Sequence, residues 1–262
     1  MPELPPYIDA DGVLDWEVLF QIYEFAQFRA FADELTHNEV GFIEQALALA
    51  DGASVLDVAC GAGRHALELG RRGYSVEGIE LNAVLVTYAA ACAYDDATRV
   101  RFVPTDMRAI VYPAQFDAAL VMNSSLGFFD DEANRAVLKS CADALVHGGR
   151  LLVQCINPYQ IERYLSTFRT GWYALAGGYV LREAHFDPHT ASLKIDYRFV
   201  APATGIDTRH PGDNIRLYGF PELAAMLRAV GLRPLTVFGD AVLPVVPFEE
   251  QSQWQVIVAE RN

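Results

Sequence analysis

Val55-Leu56-Asp57-Val58-Ala59 is an apolar run broken by a single acid, set between Gly52 and the pair Gly61 and Gly63. A short run of this kind reads as a strand buried on both faces, as in a parallel sheet. The two glycines allow a tight turn and let a ligand press against bare backbone. From Arg64 onward, Ala66, Leu67 and Leu69 fall on one helical face, and Gly73 is placed to stop the helix. Tyr74 to Ile79 reads as a second strand with Glu80 at its tip. A strand, a glycine loop opening a helix, and a second strand ending in an acid together make a nucleotide site.

The kind of nucleotide is decided by the acids. Gly61-Ala62-Gly63-Arg64-His65-Ala66 fits the dinucleotide pattern G-x-G-x-x-G/A, and Glu80 lies 80 − 61 = 19 positions past Gly61. An NAD(P)-dependent oxidoreductase is therefore one alternative. Asp57 speaks against it, because an acid at the end of the first strand repels a pyrophosphate and suits a cation. The stretch from Asp57 through Ala59, Cys60, Gly61, Ala62 and Gly63, followed by Gly78-Ile79-Glu80-Leu81, resembles the first motif and the acidic position of class I S-adenosylmethionine (SAM)-dependent methyltransferases. Ala59 stands where that family usually has glycine, and Glu80 where aspartate is more frequent. SAM carries a sulfonium, an ammonium and a ribose but no phosphate, so acids replace the bare N–H groups of a dehydrogenase loop. The product would be S-adenosylhomocysteine.

The rest of the chain alternates in the same way. Ala83 to Tyr94 reads as a helix, and Arg99 to Pro104 as a third strand with Val100, Phe102 and Pro104 against Arg101 and Val103. It delivers Asp106-Met107, a pair that the resemblance places on the adenine. Phe116 to Met122 is a fourth strand leading into Asn123-Ser124-Ser125-Leu126-Gly127-Phe128-Phe129, similar to a loop beside the methionine moiety in the family. A helix then starts at Asp130 or Asp131 and is ended by Gly148-Gly149, and Arg150 to Ile156 is the fifth strand. This is a doubly wound α/β fold whose ligand belongs at the carboxyl ends of the strands.

Two helices are expected within residues 16 to 50, the second with Asn38 as N-cap. The resemblance suggests a lid here, with Tyr23 and Arg29 facing the cofactor. Pro158 to Phe168 can form one helix. Tyr179 to Phe186, Ser192 to Val200 and Ile215 to Tyr218 alternate as strands of an antiparallel ribbon, separated in part by a loop from Ala201 to Asn214. Phe220 to Val230 is a helix ended by Gly231, and Leu232 to Phe238 with Trp254 to Glu260 closes the sheet as a pair. The resemblance implies seven mostly parallel strands in the order 3-2-1-4-5-7-6, the last antiparallel. The division expected is an N-terminal helical lid (1–50), a SAM-binding Rossmann-like core (51–156 and 219–262) and an inserted substrate-covering ribbon (157–218).

The cofactor-binding set that follows is Tyr23, Arg29, Asp57, Ala59, Cys60, Gly61, Ala62, Gly63, Glu80, Leu81, Asp106, Met107, Asn123 and Ser124. Leu126, Trp172, Arg216 and Tyr218 are the expected substrate pocket, and His65 is expected to be structural. The expected reaction is transfer of a methyl group to an N or O atom of a small molecule by in-line displacement; a non-catalytic SAM-binding partner protein is a further alternative. Proximity does most of the work in such a reaction, so no catalytic base is assigned.

Composition narrows the partners. With 20 basic and 34 acidic residues the formal charge is −14, and there is no basic block to neutralise a phosphate backbone. Cys60, Cys92, Cys141 and Cys155 have no metal-ligand spacing and sit among apolar residues, so buried free thiols in a reducing compartment and no metal are expected. Met1 to Pro6 lacks a basic and apolar start, so no signal peptide is expected, and no apolar run of about 18 residues is present. A cytoplasmic enzyme with a small-molecule acceptor is the expectation, without nucleic acid or membrane partners and with a homodimer as an open option.

Overall fold

The computed structural model describes residues 7–8, 13–28, 33–96 and 98–262. Arg29 lies outside these. Two helices, α1 (Trp16–Phe28) and α2 (Asp33–Leu47), precede the alternating part. That part runs β1 (Ser54–Val58), α3 (Arg64–Arg71), β2 (Ser75–Glu80), α4 (Ala83–Asp95), β3 (Val100–Pro104), β4 (Phe116–Val121), α5 (Asp131–Ala144) and β5 (Leu145–Ile156). Next come α6 (Ile161–Phe168) and four strands, β6 (Thr170–Leu175), β7 (Gly178–Asp187), β8 (Ser192–Ala201) and β9 (Ile206–Arg216). The chain returns through α7 (Phe220–Ala229), β10 (Leu232–Phe238) and β11 (Trp254–Arg261).

The main sheet has the order β10-β11-β5-β4-β1-β2-β3. In the sequence numbering of the seven strands this is the expected 3-2-1-4-5-7-6 read from the other edge. β1 pairs in parallel with β2 and β4, while β11 runs antiparallel to both β5 and β10. The sheet is covered on both sides. Leu56 and Val58 point into a core shared with Val137 and Leu138 of α5 and Leu223 and Leu227 of α7. Val55 points the other way, to Phe42 and Ile43 of α2 and Leu69 of α3. Burial on both faces is why β1 reads as a continuous apolar run, and why Asp57, at 1% exposure, is the exception.

The second sheet, β6-β7-β8-β9, is antiparallel throughout. Its inner face (Val180, Ala184, Leu193, Ile195, Phe199) packs on Leu19 and Ile22 of α1 and Leu165 of α6. It is larger than the sequence suggested. Thr170–Leu175 is an additional edge strand, and Ile206–Arg216 is one long strand rather than the loop and short strand expected over residues 201–218. Pro211 and Gly212 concealed it: β9 is the other edge of the sheet, where proline is tolerated, and the register shifts between Lys194 and Asp196 to absorb the extra residues.

Four smaller expectations are corrected. Asn38 is no N-cap; it sits within α2, and its amide both donates to Leu243 O (2.8 Å) and accepts from Leu243 N (2.7 Å). The helix after β4 ends at Ala144 and not at Gly148-Gly149, because Leu145 already pairs with Phe116. Gly148, at φ +77°, instead turns an irregular segment between that pair and the regular register from Ala118 to Arg150. Pro158–Gln160 forms a separate 3₁₀ turn before α6. Pro104 is exposed, while Val103 packs against the α5 side of the sheet.

Candidate active site

A cleft of about 390 Å³ opens at the carboxyl ends of β1, β2, β3 and β4. The loop after β1 forms its floor. Ala59 (φ +54°), Gly61 (φ +58°) and Gly63 (φ +77°) all take left-handed conformations, turning the chain so that Ala59, Cys60, Gly61 and Ala62 line the cavity. Gly63 does not line it. As the residue that starts α3 it faces β3, and a Cβ there would stand 2.5 Å from the Phe102 ring. Glycine at 63 is thus a packing requirement, not a ligand contact.

Glu80 holds this loop from the neighbouring strand. Its Oε2 accepts from Gly61 N and its Oε1 from Asn82 N, each at 2.9 Å. Asn82 then caps α4 by accepting from Val84 N, and its amide donates to Glu24 of α1 at 2.8 Å. The end of β2 is therefore tied to both the loop and α1.

Asp57 faces the cleft from beneath, and its Oδ2 has no hydrogen-bond partner. Burial pushes its carboxyl up to about 7; Glu80 adds to the rise, while Arg64 and the Ala66 N–H oppose it. Arg64 is itself turned to the buried Glu39 of α2, which also meets His65 Nε2 at 3.1 Å. Despite its burial, Glu39 is held below the usual carboxylate range by these two partners, while burial lowers the His65 imidazole. Glu24 reaches the cleft from α1, and burial pushes it up to about 7 against its bond from Asn82.

Asp106 and Met107 form the far wall. Asp106 Oδ1 accepts from Arg108 N at 2.8 Å, its carboxylate pairs with the Arg108 guanidinium, and this bond holds it below its ordinary value. Arg108 in turn lies over Phe129, 4.4 Å from the ring centre, and Phe129 lines the cleft. After β4, Asn123 (φ +54°) and Ser124 (φ +61°) are both left-handed. Asn123 lines the cleft, whereas Ser124 is buried, its Oγ accepting from Ile156 N at 2.9 Å. Ser125 takes the position at the cavity that the sequence assigned to Ser124.

The expected pocket residues fare less well. Trp172 is 67% exposed on the outer sheet, beside Tyr179. Leu126 and Tyr218 are core residues at 1% exposure; the Tyr218 hydroxyl donates to Asp131 and accepts from Asn134. Arg216 lines an adjoining groove, paired with Asp131 and Glu222. Tyr23 packs between Tyr173 and Tyr197, away from the cleft. Leu81 does line the cavity. Glu24, Arg64, His65, Thr105 and Asp213 line it without having been foreseen, and Phe128 lines it from the loop expected beside the methionine moiety. Glu24 adjoins Tyr23 in sequence, so the helix face was misjudged by one position, about 100° of rotation.

Five carboxylates (Glu24, Asp57, Glu80, Asp106 and Asp213) thus line a cavity floored by bare backbone. The unpartnered Asp57 oxygen beneath it suits a cation and disfavours a pyrophosphate. A methyltransferase-domain family model matches residues 55–149. The matched domain and the fold around it are consistent with a class I SAM-dependent methyltransferase. Its cofactor is SAM, and its reaction is methyl transfer.

Among the relatives, the chain is 29% identical over 191 residues to dTDP-3-amino-3,4,6-trideoxy-alpha-D-glucopyranose N,N-dimethyltransferase of Streptomyces venezuelae, covering 70% of this chain and 76% of that one. It is 35% identical over 108 residues to a ubiquinone biosynthesis O-methyltransferase of Xylella fastidiosa, covering 40% of this chain and 43% of that relative. The fold is shared with a SAM-dependent methyltransferase from Clostridium acetobutylicum (TM-score 0.72, 14% identity, 94% of this chain and 99% of that one). It is also shared with CalS10, an amino pentose methyltransferase of Micromonospora echinaspora (TM-score 0.64, 22% identity, 93% and 98%). Among the described residues no helix is long and apolar enough to cross a membrane, and no group of side chains is arranged to hold a metal ion.

Proposed function

We propose that this chain methylates an N or O atom of a small-molecule acceptor, with SAM held across the ends of β1 to β4. The observation that carries the reading is the buried, unpartnered Asp57 oxygen beneath an acid-lined cleft. When bound, SAM supplies the methyl group as an electrophilic carbon on a sulfonium. Glu80 would take the ribose hydroxyls on lone pairs left over from its two backbone bonds, and Asp57 would face the ammonium or its water. Asp106 would accept from the adenine amine while the Met107 N–H donates to the ring. Cys60, Gly61 and Ala62 would meet the ligand through backbone, with Leu81 and Asn123 at its flanks. The chain's contribution to rate is then mainly orientation, an effect able to supply roughly 7–11 kcal/mol.

The named activities of the relatives, on an amino sugar nucleotide nitrogen and in ubiquinone biosynthesis, support a metabolite acceptor rather than a macromolecule. A cytoplasmic enzyme without a nucleic-acid partner is part of the same proposal. So is the division into helical lid (1–50), SAM core (51–156 and 219–262) and substrate cover (157–218). Parallel calorimetric titrations with SAM, S-adenosylhomocysteine and NAD test it. Binding of the first two and silence from NAD is the expected outcome; binding of NAD alone overturns the proposal.

A further inference from the structure

Asp213 stands where two cavities meet. It lines the cleft just described and also an outer groove of about 920 Å³ between the second sheet and the start of α5. Phe128 and Phe129 are likewise shared, so the groove adjoins the cleft at these three residues. One oxygen of Asp213, Oδ2, accepts from the Tyr197 hydroxyl at 2.9 Å. That bond fixes the carboxylate and leaves Oδ1 for a ligand.

Two buried polar atoms, one on the cleft floor and one behind Tyr197, lack a hydrogen-bond partner. Asp57 Oδ2 comes from the sheet side. Tyr23 Oη comes from α1, its ring 5.5 Å from that of Tyr197. The groove itself carries Asp130, Asp131, Glu132 and Asp213 against a single arginine among its described lining residues, Arg216. Arg216 is already neutralised, with Asp131 at 3.4 Å and Glu222 on its other nitrogen, while its guanidinium lies over the Tyr218 ring. A diphosphate entering here meets Asp130, Glu132 and Asp213 besides the paired Asp131 and Arg216, whereas an ammonium is attracted to the groove.

We propose that the acceptor is a small cationic amine without phosphate, that its ammonium docks on Asp213 and gives up a proton to Oδ1, and that Tyr197 is the positioning residue for that carboxylate. This rests on the methyltransferase reading and narrows it to nitrogen. In the proton transfer an N–H bond breaks, its electron pair stays on nitrogen, and the proton moves to Asp213; no further reactant is required. The freed lone pair is what makes the amine a nucleophile.

The groups facing Asp213 set the pH at which this works. Burial raises its carboxyl above the ordinary value, while the Tyr197 bond and the charge of Arg182 on β7 lower it. Glu24 on α1 lies in the same field and is raised by Asp213. Tyr23 on the same helix is pushed up chiefly by burial. Loss of the Tyr197 hydroxyl removes a bond to the charged form, so it moves the Asp213 titration to higher pH.

The test uses the full chain with deuteromethyl-labelled SAM and a panel of primary and secondary alkyl- and arylamines, matched phenols, and a nucleoside diphosphate amino sugar. Products are read by mass spectrometry. Labelled methyl is expected on phosphate-free amines. Asp213→Asn is expected to lower kcat/KM on the best amine by about 100-fold or more, a loss well beyond any change it causes in the SAM Kd. Tyr197→Phe is expected to shift the acid limb of the kcat/KM profile to higher pH, which a purely structural tyrosine would not do. Methylation of phenols alone or of the nucleotide sugar alone overturns the proposal, as does full activity in Asp213→Asn. If Asp213→Asn also loses SAM, the Tyr197→Phe profile decides, and an unmoved acid limb is the overturning result. Failure of the parent to bind SAM would instead remove the methyltransferase reading on which the proposal stands.

Discussion

Asp57 and Glu80 are both acids at strand ends, but their surroundings give them different work. Glu80 is satisfied by two backbone N–H groups and shapes the loop before any ligand arrives. Glu80→Ala removes that clamp and the proposed ribose acceptor together. SAM affinity is expected to fall by about 10- to 100-fold, as read by calorimetry. An unchanged Kd would refute the ribose assignment. Asp57 is buried with one oxygen unpartnered, and its carboxyl titrates at about 7 instead of 3.8. Between those values the folded chain holds a proton that the unfolded chain has released, so stability from this group is present below 3.8 and falls as pH rises to about 7. Asp57→Asn is neutral at every pH. It is expected to raise Tm more at pH 8 than at pH 5 relative to the parent, while weakening SAM binding. An equal Tm difference at the two pH values would show that the buried charge is not the cause.

The loop after β1 shows two ways in which one glycine-rich pattern is used. Ala59 carries a Cβ in the left-handed region, where non-glycine residues are strained, and the family resemblance marks this position as one usually held by glycine. Ala59→Gly is expected to stabilise the chain by about 1 kcal/mol in urea denaturation, less the extra unfolded-state entropy of glycine. Gly63 is the reverse case. Gly63→Ala meets the Phe102 ring at 2.5 Å and keeps a positive φ, so a loss of about 2–4 kcal/mol is expected. If Phe102→Leu introduced alongside does not recover part of that loss, crowding against the ring is not the reason. The alternating elements were legible because each carries its own periodicity, cap or glycine stop, as Asp130 does for α5. Strand β9 was not, because Pro211 and Gly212 are local turn signals that an edge position and a register shift overrule. Asn38 looks like a cap locally, yet it serves as a tertiary bond to Leu243, a residue far along the chain.

At the scale of the molecule, a formal charge of −14 and a cleft lined by five carboxylates would act together on SAM bound as proposed. SAM carries net positive charge near neutral pH and S-adenosylhomocysteine does not. Raising ionic strength is therefore expected to weaken SAM binding more than product binding, an effect visible by calorimetry across a salt series. Equal salt dependence of the two would mean that the field of the protein contributes little. The sequence by itself determined the doubly wound sheet, the nucleotide loop and the acids at the tips of β1 and β2, because these depend on residues close together in the chain. Only the tertiary structure decided that Glu24 and not Tyr23 faces the cleft, that Trp172 points outward, and that Asp213 reaches the cleft from the second sheet. Helix rotation, strand register and the meeting of two sheets are set by packing between distant segments, and local sequence patterns carry no record of it.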